Sequence, residues 1–168
     1  MDKVYWTEQC MSLVELIGRD PDAATLKLWL EKIPYAVYLG MEAELHDTNI
    51  LFRLPPDDKL IGNASLPAIH GGVVGAFMEL AGAIHLVAHM EKPVLPKIIN
   101  FSLDYLRASR LQDTWARCEV IRQGRQIANV TVTAWQENPQ NPNATSRAHF
   151  FIAEPEIAKE NNHVPLET

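Results

Sequence analysis

The 168 residues, 47% hydrophobic and 21% charged, are enough for one globular domain with a sizeable core. A formal net charge of −6, with no basic stripe carrying interleaved aromatics, argues against a nucleic-acid binder. Cys10 and Cys118 are the two cysteines, and no basic-then-apolar leader opens the chain, so free thiols and a reducing, cytoplasmic setting are expected.

Residues 1–34 read as helical. Glu8 to Ile17 carries Met11, Leu13, Val14 and Ile17 at helical spacing, and Gly18 stops it. Pro21-Asp22 opens a second helix with Leu26, Leu28, Trp29 and Leu30 on its apolar side, and Pro34 is expected to end it. Trp6 and Trp29 fit buried anchors. From Leu39 the pattern alternates. Gly40 to Leu45 and Thr48 to Leu54 read as strands joined by a turn at His46-Asp47-Thr48-Asn49, closed by Pro55-Pro56. Leu60 to Ile69, with Gly62, Asn63, Ser65 and Pro67, reads as a loop leading straight into a helix.

That helix organises the chain. Val73 to Met90 is almost wholly apolar and free of proline, the pattern of a helix buried all round. Glu79, His85 and His89 argue against reading it as a membrane span. Positions three, four and seven residues from Glu79 are Gly72, Gly75, Ala76, Gly82, Ala83 and Leu86, nearly all small. Glycine inside a helix costs about 1 kcal/mol relative to alanine, so something must approach this face closely. Helix-to-sheet packing is one reading. The other is a narrow cleft into which Glu79 projects as a candidate general base or nucleophile.

Past the helix, Pro93 and Pro96 break the chain, and Lys97 to Leu106, Thr114 to Ile121, Gln126 to Trp135 and Thr145 to Ile152 read as four strands. Gln123-Gly124-Arg125 is a short turn, and 138–143 is a longer loop. Short turns imply an antiparallel sheet, and one apolar helix in its crook gives an α+β domain. The expected division is an N-terminal helical extension over 1–38, one domain over 39–154 and a polar tail over 155–168.

The element order, His70-Gly71-Gly72 at the helix start, an acid nine residues after His70, and Asp104-Tyr105-Leu106-Arg107 in the next strand together resemble the hotdog-fold acyl-CoA thioesterases. The nearest branch is the phenylacetic-acid-pathway (PaaI-like) type within the 4-hydroxybenzoyl-CoA thioesterase superfamily. The resemblance spans Leu39 to Ile152. It implies hydrolysis of an acyl-CoA to free acid and CoA without metal or cofactor, in a homodimer that is often doubled to a tetramer. Glu79 then stands as base or nucleophile, and the Gly72 N–H as the donor that polarises the thioester carbonyl. His70 shapes the loop and hydrogen-bonds near the thioester, and Asn63 positions water or substrate. Gly71, Val73, Tyr105 and Arg107 are expected at the substrate. Asn63 stands seven residues before His70, where relatives often place this asparagine six before. Lys97-Ile98-Ile99 lacks the hydroxyl some relatives carry at that strand's start. A non-catalytic acyl-CoA-binding hotdog protein is the alternative.

The chemistry suits these residues. Thioester hydrolysis builds charge on the carbonyl oxygen, and free N–H groups at a helix N-terminus stabilise such charge. Glu79 lies seven residues past Gly72, roughly 10 Å along the axis, too far for one thioester to touch both within a subunit. A two-fold dimer with antiparallel helices would bring Glu79 of one chain to the helix tip of the other. His85 and His89, four apart, fit favourable charge at the helix C-terminus better than a metal pair. Arg107, Arg110, Arg122 and Arg125 are candidates to meet CoA phosphates, with solvated strand ends as the plainer reading. Phe77, Met78 and Tyr105 are candidates to line an acyl pocket.

Overall fold

A computed structural model describes residues 21–46, 49–63, 65–90 and 94–153. The expected first helix at Glu8–Ile17, Trp6, Cys10 and the polar tail lie outside the described residues. Helix α1 (Ala23–Lys32) starts where Asp22 caps it, its carboxylate accepting the Thr25 N–H at 2.8 Å. That bond holds the Asp22 carboxyl below its ordinary range. Pro34 does more than end α1. It is the first residue of a second, short helix, α2 (Pro34–Leu39), where a missing N–H costs nothing. Gly40, at φ 68°, closes α2 in the left-handed region. Leu26, Trp29, Leu30, Ala36 and Leu39 are buried in the main core, so these helices pack into it.

The sheet has six antiparallel strands in the order β1-β2-β6-β7-β8-β5. They are β1 (Glu42–His46), β2 (Asn49–Leu54), β5 (Lys97–Tyr105), β6 (Thr114–Gln123), β7 (Ile127–Trp135) and β8 (Ala144–Phe151). The stretch read as a plain loop before the helix is more ordered than expected. After a 3-10 turn at Asp58–Leu60 it forms a small antiparallel pair, β3 (Ile61–Asn63) and β4 (Ala68–Ile69). Strands of three and two residues are too short to show a strand period.

Helix α3 (Gly71–Ala88) lies against one face of the sheet. That face alternates as a half-buried sheet should, and it is rich in alanine beneath the helix: Ala116, Ala128, Ala134, Ala144 and Ala148 are all buried. Small residues on the sheet let Phe77, Met78 and Leu86 fill the space between the layers. An α+β sheet wrapped on one long helix is the hotdog arrangement the resemblance implies. By length and hydropathy α3 could cross a membrane, but it is the core helix of this domain, with most of its side chains under the sheet. Cys118 is free and packs against this core. Burial raises its thiol far above the ordinary range, which makes it an inert packing group.

One reading of α3 is corrected, and the choice between the two readings of its glycines falls to helix-to-sheet packing. The helix is not buried all round. A stripe at Gly72, Ala76, Glu79 and Ala83, flanked by Val73 and Leu80, stays half-buried or exposed. The interior glycines do not belong to that stripe. A side chain at Gly75 would meet Leu103 at 3.1 Å, and one at Gly82 would meet Val132 at 3.3 Å. Both glycines serve the chain's own sheet.

Candidate functional site

The N-terminus of α3 is built by three converging segments. His70 is the cap residue, extended at φ −60° and ψ 133°, and its Nδ1 accepts the Gly72 N–H at 2.9 Å. An accepting Nδ1 carries no proton, so the neutral ring holds its hydrogen on Nε2, on an exposed side chain. Behind His70 runs β3. A Cβ on Gly62 would lie 2.7 Å from both Cα and Cβ of His70, which leaves room for glycine alone. The His70 N–H is held by Leu60 O at 2.8 Å. Ile69 N–H bonds Ser109 O at 2.8 Å, and Leu111 N–H bonds Pro67 O at 3.0 Å, so the chain entering the helix is laced to the segment after β5.

The third segment is the end of β5. The Tyr105 hydroxyl donates to Gly71 O at 2.7 Å, and its ring lies 3.1 Å from where a Gly71 side chain would start. The peptide between Gly71 and Gly72 is thus held at both ends, its carbonyl by Tyr105 and its N–H by His70. The backbone here is fixed before any ligand arrives, which is what preorganised stabilisation needs.

This arrangement changes which donor is open. The sequence singled out the Gly72 N–H for the substrate carbonyl, yet His70 occupies it. The Val73 and Val74 N–H groups both turn back to His70 O, at 2.9 and 3.2 Å. Among the described residues, the Gly71 N–H is the first-turn donor with no partner. The rule that a cap side chain takes the second or third N–H could have pointed here from sequence, once His70 was recognised as the cap.

The remaining expected residues fall in different places. Glu79 sits on the stripe that the sheet leaves open, half-buried, with no ion pair or hydrogen bond among the described residues. It lies eight residues from Gly71 on the same helix, roughly 12 Å along the axis, so one chain does not bring the two together. Val73 is half-buried beside the tip. Asn63 ends β3 opposite Ala68, close to His70 in the fold, but its Oδ1 closes a local turn by accepting the Ser65 N–H at 2.9 Å. Arg107 donates to Pro142 O at 2.7 Å and so braces the loop before β8. Phe77 and Met78 are fully buried in the chain's own core, and only Tyr105 of the three expected pocket residues reaches the surface.

At the far end of α3 the chemistry is different. His85 is 5% exposed, and its Nδ1 has no hydrogen-bond partner. Burial, aided by His89 with its ring centroid 4.2 Å away, lowers the His85 pKa to about 4. His85 is therefore neutral at pH 7 and supplies no favourable charge to the helix end, contrary to the sequence reading. The exposed His89 donates through Nδ1–H to His85 O at 2.7 Å.

The family profile described as "Thioesterase superfamily" matches residues 66–142, which include the capped helix tip, Glu79 and the end of β5. A solved structure of a Chromobacterium violaceum protein is 35% identical to the chain, covers 87% of it and 99% of that protein, and superposes with a TM-score of 0.67. A thioesterase from Haemophilus influenzae shares the fold at 21% identity and a TM-score of 0.72, over 88% of this chain and 99% of that one. So does a phenylacetic acid degradation-related protein from Ralstonia eutropha, at 22% identity and 0.63, over 82% and 96%.

Proposed function

We propose, from the match of the thioesterase-superfamily profile to residues 66–142 and the fold shared with thioesterases, that this chain is a thioester hydrolase that cleaves an acyl-CoA to the free acid and CoA at sites shared between two chains. The carrying observation is the pairing of an uncommitted acid, Glu79, on the open stripe of α3 with a free, rigidly held N–H at Gly71 on the same helix. In the proposed reaction the Gly71 N–H takes the thioester oxygen as charge develops there, and the exposed His70 Nε2–H is a second donor. Glu79 of the other chain takes a proton from water or attacks the carbonyl itself, and CoA leaves as the thiol. The Tyr105 ring walls the site on one side.

The dimer in this proposal has its own support. Strand β5 is a sheet edge nine residues long, with Ile98, Ile99 and Tyr105 exposed along it. A long unpaired sheet edge with exposed apolar side chains is a surface that a second copy can cover. Antiparallel pairing of β5 with its two-fold mate would set the open stripes of α3 side by side, each Glu79 toward the opposite tip.

A Glu79→Gln variant tests the acid. Hydrolysis should collapse while acyl-CoA binding, read by calorimetry, survives; equal turnover by both proteins removes Glu79 from the reaction. Mixing subunits tests the sharing. Glu79→Gln and Gly71→Val proteins, each inactive alone, should regain about a quarter of wild-type activity after co-refolding, because half the dimers then carry one intact site. No recovery would place each site within a single chain.

A further inference from the structure

The turn between β6 and β7 forms a concavity of about 630 Å³ lined by Arg122, Gly124, Arg125, Gln126, Ile127 and Asn129. Three features set it apart. Neither guanidinium has an ion pair or hydrogen bond among the described residues, and none of the described lining residues carries a carboxylate, although the chain as a whole carries −6. Arg122 and Asn129 are cross-strand partners, so their side chains leave the same face of the sheet side by side. The Asn129 Oδ1 is buried there without a hydrogen-bond partner, an acceptor short of a donor.

A second arginine-bearing hollow makes the contrast. It is lined by Arg107 and Arg110 with Gln112, Gln136, Glu137 and Asn143. There Arg107 is spent on Pro142 O. Gln136 is spent on the Arg110 backbone and the Thr114 hydroxyl, and Asn143 on Ala108 O. Glu137 offsets part of the positive charge. In that hollow most polar side chains are spent on the fold and an acid shares the lining with Arg110, whereas the one at the β6–β7 turn is a set of unspent donors and one unpaired acceptor.

We propose that the β6–β7 concavity binds the phosphate-bearing end of a nucleotide. Arg122 and Arg125 take phosphate oxygens, in the fork geometry guanidinium offers. Asn129 Oδ1 accepts an N–H or O–H from the base or sugar. The source is either the nucleotide end of the acyl-CoA substrate or a free nucleotide. The substrate case rests on the shared-site reading above. Ile127 pairs with Phe151 and Phe151 with Lys97, at the end of the sheet opposite Tyr105. Along β5 that is eight residues, roughly 26 Å, from the chain's own helix tip. Antiparallel β5 pairing would bring the Lys97 end of one chain beside the Tyr105 end of the other. The turn of one protomer would then receive the nucleotide of a thioester held at its partner's tip.

The first test titrates wild-type protein with adenosine 3′,5′-bisphosphate by calorimetry at low salt. One site per chain is expected, weakened about tenfold or more in an Arg122→Glu/Arg125→Glu variant and nearly unchanged in Arg110→Ala. Circular dichroism and thermal melting check that the variant folds, as these exposed side chains lead us to expect. No binding to the wild type at millimolar bisphosphate, or equal binding by the folded double variant, overturns the proposal. The second test compares acyl-CoA with the matching acyl-pantetheine, which lacks the nucleotide. A KM raised for acyl-CoA alone assigns the site to substrate. An unmoved KM beside lost bisphosphate binding assigns it to a free nucleotide. Bisphosphate binding by a protein that hydrolyses no thioester would leave this site standing and remove the proposed reaction, so the two readings fail separately.

Discussion

The two ends of α3 are built to opposite specifications. At the N-terminal end a polar cap, two glycines and a tyrosine hydroxyl pin the backbone at the surface, and one first-turn donor has no partner among the described residues. At the C-terminal end Ile84, His85, Leu86, Val87 and Ala88 are all buried, and a histidine ring is packed away with an unpaired nitrogen. One end spends sequence on fixing the backbone where the proposed reaction takes place, and the other on closing a core. Changes at the first should therefore act on turnover, and changes at the second on stability.

The largest expected effect is that of Glu79→Gln. Loss of a general base or nucleophile should lower kcat by about 100-fold or more. Its melting temperature should stay near that of the wild type, because Glu79 holds no partner among the described residues. A large stability change would break the division between the ends.

His85 sharpens the other side. Its folded-state pKa, about 4, lies below the ordinary 6.5, so the unfolded chain binds the extra proton between those values. The stability from burying the neutral ring is fully present above about pH 6.5 and drains away as pH falls toward about 4. The loss is up to about 3 kcal/mol. Denaturant unfolding across this window should show that slope in the wild type and lose it in His85→Leu, with kcat at pH 7.5 unmoved. An identical slope in the variant would assign the acid sensitivity elsewhere.

Gly62→Ala probes the wall behind the cap. A methyl 2.7 Å from the His70 backbone must push the helix entrance outward, at about 1–3 kcal/mol of stability. Activity should fall further than that loss explains, since the displaced residue is the one that orients the Gly71 and Gly72 peptide. Activity unchanged at matched folded fraction would mean that the tip tolerates movement. Tyr105→Phe is the mildest probe. It keeps the ring and removes the bond to Gly71 O, worth about 0.5–1.5 kcal/mol. A several-fold drop in kcat/KM with little change in melting is expected, and an unaltered kcat/KM would make the clamp incidental.

Much of the fold was legible because it rests on periods. The alternation in β6, β7 and β8 and the unbroken apolar run of α3 are local patterns, and the four strands after the helix fall within two residues of their expected bounds. Glu79 was conspicuous as the lone acid in that run. Three things were decided only when the chain closed on itself. Pro34 can end one helix or start another, and the packing of Ala36 and Leu39 into the core settled it. Gly75 and Gly82 share helical spacing with Glu79, but spacing on a helix cannot tell which neighbour crowds it, and here it is the chain's own sheet. Which first-turn N–H stays open depends on where the His70 ring turns, and which arginines stay unpaired depends on strands far apart in sequence. Local chemistry is written residue by residue, whereas the sharing of donors, acceptors and close approaches belongs to the assembled fold.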